Sequence, residues 1–62
     1  MNKPKVQLIG QDGNIFNLAG IASRALKRNG QPEEAKKMQE EIFSSESYED
    51  ALLVIMKYCE VE

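Results

Sequence analysis

A small α+β domain is the fold class this sequence predicts, on three observations. Lys5-Val6-Gln7-Leu8-Ile9 alternates polar and apolar residues with the period of two that a half-buried strand requires. Three later stretches, about 15–29, 32–43 and 48–59, space their apolar residues at helical intervals and are separated by turn formers. The length, 62 residues, falls below the ~100–200 of an ordinary domain, so 1–62 reads as one small unit with residues 1–4 flexible ahead of it.

In the strand, about 5–9, Val6 and Leu8 share the face that turns to the core. Gly10 ends it, and Gln11-Asp12-Gly13-Asn14 is a concentrated turn signal. Asp-Gly also suits a hairpin, with 15–18 as its return arm. A helix fits better, because Ile15, Leu18, Ala19, Ala22, Ala25 and Leu26 fall on one helical stripe. Asn14 is a favourable N-cap, Arg24, Lys27 and Arg28 suit the negative end of the helix dipole, and Gly30 is placed to stop the helix.

The second helix opens with Pro32 at its first position and Glu33-Glu34 in its first turn. Ala35, Met38 and Ile42 make a narrow apolar stripe with Phe43 beside it. The remainder is charged, and the pairs Glu33–Lys37, Lys36–Glu40 and Lys37–Glu41 each contribute ~0.2–0.5 kcal/mol when formed. That pattern belongs to a surface helix ending near Ser44-Ser45-Glu46.

Ser47-x-x-Asp50 resembles a capping box with Asp in the last place. Behind it Tyr48, Ala51, Leu52, Ile55, Met56 and Cys59 form a broad stripe that Leu53, Val54 and Tyr58 widen further. This breadth predicts a central third helix, touching both others. Glu60-Val61-Glu62 extends as a short C-terminal strand. A lone strand over 5–9 needs a partner, either this terminus or a second copy joined along its edge.

Composition narrows the chemistry. The chain is 42% hydrophobic and 29% charged, with no His, no Trp and one Cys. A disulfide framework, a zinc cluster and His-based catalysis are therefore beyond a single chain. One unpaired thiol in so short a domain favours a reducing cytoplasm. The start, Met1 to Lys5, is basic like a signal peptide's first region, but Val6 to Ile9 is too short an apolar run to follow it. The run Ala51–Met56 is far short of the ~20 apolar residues of a membrane span, so no membrane partner is expected. Charge is unevenly split: residues 1–31 carry five basic residues against Asp12, a balance of +4, and residues 32–62 carry three against nine acids, a balance of −6.

Five features are candidates for chemistry. A calcium loop starting at Asp12 needs Glu at its twelfth position, where Ser23 stands. Gly10-x-x-Gly13 before a helix could offer amides to an anion, but a turn with a helix cap explains the same residues. Cys59 continues the buried stripe and reads as an inert small hydrophobe. Tyr48, Tyr58, Phe16 and Phe43 read as core or rim. No residue is assigned a catalytic, cofactor-binding or metal-ligating role. Arg24, Lys27 and Arg28 project from one helix face and, with Lys3 and Lys5, form the one set that could meet a phosphate backbone.

The stretch Leu8-Ile9-Gly10-Gln11-Asp12-Gly13-Asn14-Ile15-Phe16 resembles the Leu-Ile-Gly-x-Asp-Gly-Asn-x-Phe opening of a group of short bacterial and phage proteins. A basic helix ending in Gly, here Ala25 to Gly30, and a tail near Tyr58 to Glu62 are similar as well. The resemblance implies a mobile-element or prophage origin and brings no activity or cofactor with it. The expected function is a non-catalytic binding module contacting a protein partner, with nucleic-acid binding through Lys3, Lys5, Arg24, Lys27 and Arg28 as the alternative.

Overall fold

The two ends of the chain lie side by side. In the computed structural model, which describes residues 3–62, strand β1 (Lys5–Val6) pairs in parallel with strand β2 (Glu60–Val61), with Lys5 opposite Glu60 and Val6 opposite Val61. Parallel neighbours need a long crossover. Here the crossover is nearly the whole chain: helices α1 (Ile15–Arg28), α2 (Pro32–Ser44) and α3 (Tyr48–Tyr58). The pairing extends past the two-residue strands: Glu60 N–H donates to the Pro4 carbonyl at 2.9 Å, Glu62 N–H to Val6 at 2.8 Å, and Leu8 N–H to Glu62 at 2.8 Å. The C-terminal segment thus supplies, within the chain, the partner that the first strand needed. Met1 and Asn2, part of the segment expected to be flexible, lie outside the described residues, and Pro4 takes part in the pairing.

The regular ladder is shorter than the alternation suggested, Lys5–Val6 against 5–9, because its partner strand spans only Glu60–Val61. Val6 and Leu8 are buried as their parity requires. Residues 15–18 form the first turn of α1, not a hairpin arm. The Asn14 side chain accepts from Phe16 N–H at 2.9 Å, and Asp12 accepts from Asn14 N–H at 3.1 Å, so the turn's polar groups are committed to starting the helix. At the other end Gly30, at φ +76°, donates to Lys27 and Gln31 donates to Leu26, the paired bonds of a Schellman stop. Ser47 caps α3 by accepting from Asp50 N–H at 3.1 Å.

The core is Val6, Leu8, Leu18, Ala19, Ala22, Ala25, Leu26, Ala35, Met38, Ile42, Ala51, Ile55 and Cys59. Two expectations need correction. The helix between the other two is α2, not α3: its narrow stripe, with Met38 fully buried, packs against both α1 and α3, which touch each other less. Small residues at Ala22, Ala25, Ala35 and Ala51 let the backbones approach. Since α3 is an outer helix, it buries only Ala51 and Ile55 along its length, and Met56 and Leu53 remain exposed. The charge pairs also differ. Lys37 meets Glu34 at 3.6 Å, and Glu41 is taken by Lys57 of α3 at 2.6 Å, so an interhelix tie replaces the expected pair along α2.

No helix among the described residues is long and apolar enough to cross a membrane.

Candidate interaction surface

Large apolar side chains left in water mark the surface of interest. Ile9, Phe16, Phe43, Tyr48, Leu53 and Met56 are all between 47% and 74% exposed. Scattered exposed hydrophobes are ordinary, whereas contiguous ones mark interaction sites. Here most of them are contiguous. Phe16 at the start of α1 and Phe43 at the end of α2 flank a groove of about 330 Å³, whose deeper lining is Ile15, Ile42 and Ala51. Its rim is Glu46, Ser47 and Tyr48. On the other side of Tyr48 lies a second, almost wholly apolar depression of about 250 Å³, lined by Ile9, Leu18, Leu52, Met56 and Val61. The Tyr48 hydroxyl donates to the Gly13 carbonyl, fixing the ring between the two hollows and pinning the loop before α1 to α3.

The charged side chains lining the groove and the hollow beside it are all acidic. Ser45 belongs both to the groove and to a shallower depression that holds Glu40, Glu41 and Asp50. No Lys or Arg lines either hollow. The carboxyl end of α2 carries no basic residue in its last turn, so Glu40 and Glu41 add to the negative pole of the helix dipole there. Lys57 and the Tyr58 hydroxyl both donate to the Glu41 carboxylate. These bonds hold Glu41 below the usual carboxylate range and, in return, push Tyr58 up to about 12.

The basic residues lie elsewhere. Arg24, Lys27 and Arg28 are exposed on the outer face of the last turns of α1. Lys3 donates to the Met56 carbonyl at 3.1 Å, at the end of α3, and Lys5 stands opposite Glu60 in the ladder. Lys3 therefore has a local partner and Lys5 lies in the ladder, while the three α1 residues share one face.

Nor does the thiol stand open to solvent. Cys59 is 2% exposed, its Sγ lies 4.0 Å from the Ala22 carbonyl, and burial pushes its pKa up despite the charge of Lys3 nearby. A raised pKa and a closed site both lower nucleophilicity. Among the described residues no three His, Cys, Asp or Glu side chains converge as metal ligands do.

The sequence reading put Phe16, Phe43 and Tyr48 in the core or at its rim, and the first two stand well out in water. The signal was present: Phe16 falls off the Ile15-Leu18-Ala19 stripe, Phe43 falls off the Ala35-Met38-Ile42 stripe, and Ile9 has the outward parity of Gln7. No protein-family model, curated protein or solved structure matches the chain.

Proposed function

We infer that the protein is a non-catalytic binding module whose working surface is the apolar face around Phe16, Phe43 and Tyr48. The observation that carries this reading is that two phenylalanines, 69% and 73% exposed, flank one groove in a chain small enough to need its apolar residues for folding. Aromatic anchors on a cleft supply much of the energy at protein interfaces. The test is capture from cells of the native host, with the wild type and Phe16→Ser/Phe43→Ser run side by side. A protein held by the wild type and lost with the double variant supports the reading. Identical captures from the two would remove it.

A second reading has its own observation: Arg24, Lys27 and Arg28 share one exposed face of α1. Together with Lys3 and Lys5 they could contact a nucleic-acid backbone. Such binding would weaken steeply with salt and fall further on Arg28→Glu. No mobility shift with DNA or RNA at low salt would dismiss it. A buried, unpaired Cys59 suits a reducing compartment, the cytoplasm. Recovery of the protein outside that fraction would contradict the assignment.

A further inference from the structure

We propose that the occupant of the Phe16–Phe43 groove is a basic amphipathic helix of another protein, one that seats large apolar side chains between the two rings and sets Lys or Arg against the acidic margin. The proposal rests on the reading of this face as a binding surface and adds the chemistry of what binds.

Size comes first. A groove of about 330 Å³ lies at the small end of the ~300–1,000 Å³ range of ligand pockets, which suits a few anchoring side chains better than a large cofactor. Its walls are helix surfaces from α1, α2 and α3, the setting in which an amphipathic helix lays its apolar face.

Charge then selects the partner. Glu46 stands on the groove itself, and Glu40, Glu41 and Asp50 line the hollow that adjoins it through Ser45. Glu40 and Glu41 lie near the negative pole of α2, whose last turn carries no basic residue, and Asp50 lies in the first turn of α3. Lys57 of α3 already serves Glu41. Glu40, Glu46 and Asp50 are left for a partner's cations, and an acidic partner would be repelled.

A second copy of this chain fits less well. The three basic residues that share one face of α1, Arg24, Lys27 and Arg28, lie on a helix whose apolar stripe of Leu18, Ala22 and Leu26 is already buried in its own core. That face brings charge without anchors. Two copies meeting groove to groove would oppose acid to acid.

The test uses the full chain and a labelled Leu/Lys amphipathic peptide about four turns long, roughly 20 Å. Its counterpart has the same Leu positions with Glu in place of Lys. By fluorescence anisotropy the Leu/Lys peptide should bind about tenfold or more tightly than the Leu/Glu peptide, and rising salt should narrow the gap. Phe16→Ser/Phe43→Ser and, separately, Glu40→Lys/Glu46→Lys should each weaken it about tenfold, and Arg28→Glu should not. All these positions are exposed, and far-ultraviolet dichroism is to be recorded on each variant to check that it is folded. Equal binding of both peptides, no binding of either, or indifference to the phenylalanine pair would overturn the proposal. So would a wild-type dimer in light scattering that Phe43→Ser dissociates, since a second copy would then fill the groove. If the proposal fails while capture of a host protein still depends on Phe16 and Phe43, the binding-module reading stands and only its partner chemistry is wrong.

Discussion

Met38 and Ile55 are fully buried, and each carries more of this fold than its size suggests. A chain this short has a total stability of roughly 3–9 kcal/mol, at ~0.05–0.15 kcal/mol per residue. Removing a buried Met or Ile side chain down to Ala costs about 2–5 kcal/mol. Met38→Ala is therefore expected to shift the urea midpoint strongly downward or to unfold the protein outright. An unchanged midpoint would mean that α2 is not the middle helix. Cys59 gives a second residue-scale prediction. With its thiol enclosed and its pKa raised, it should react with a thiol reagent far more slowly in buffer than in urea. Equal rates would place the sulfur in solvent. The burial of Met38 was legible in the sequence, as was that of Cys59, because both lie on regular helical stripes. The exposure of Phe16 and Phe43 was legible only in part: both fall off their stripes, but hydrophobicity alone does not say whether a residue off the stripe finds a second neighbour.

At the level of elements, caps and stops follow from local chemistry and were readable one by one. Asn14, Pro32, Ser47 and Gly30 do what their side chains or backbone freedom allow wherever they occur. Asn14→Ala should cost about 1 kcal/mol in urea denaturation, since Phe16 N–H loses its acceptor. Gly30→Ala should cost about 1–2 kcal/mol, since a Cβ is strained at φ +76°. Losses near zero at both sites would show that the ends of α1 are held by packing instead. The tie between α2 and α3 predicts a pH dependence with two limits. Glu41 is held below its ordinary 4.5, so its contribution is present above that value and disappears as pH falls through the lowered one. Tyr58 is raised from 10.0 to about 12, so its contribution is full below pH 10 and is lost as pH rises toward 12. A phenol absorbance titration should show one tyrosine ionising late, and Glu41→Gln should return it toward 10. Ionisation of Tyr58 near 10 would contradict the bond. This tie was hidden in the sequence, where Glu41 had an eligible partner in Lys37 on its own helix and Lys57 is sixteen residues away. The order of the helices was hidden for a similar reason. The broad apolar surface of α3 suggested a central position, but α2 fills the middle with three well-spaced residues, and much of the surface of α3 faces outward.

The whole molecule has a radius of gyration of 10.3 Å, close to the ~10.6 Å expected of a packed chain of this length. Its extents are 28 × 25 × 15 Å. A core this small takes one stripe from each helix, and Phe16, Phe43, Leu53 and Met56, which lie off those stripes, remain exposed. Whether the apolar face serves a partner rather than the core is tested most directly by the urea midpoint of Phe16→Ser/Phe43→Ser. The predicted result is a midpoint equal to that of the wild type, or above it, in a variant that no longer captures its partner. A fall as large as that expected for Met38→Ala would show that the two rings hold the fold together, and would contradict a partner-facing role.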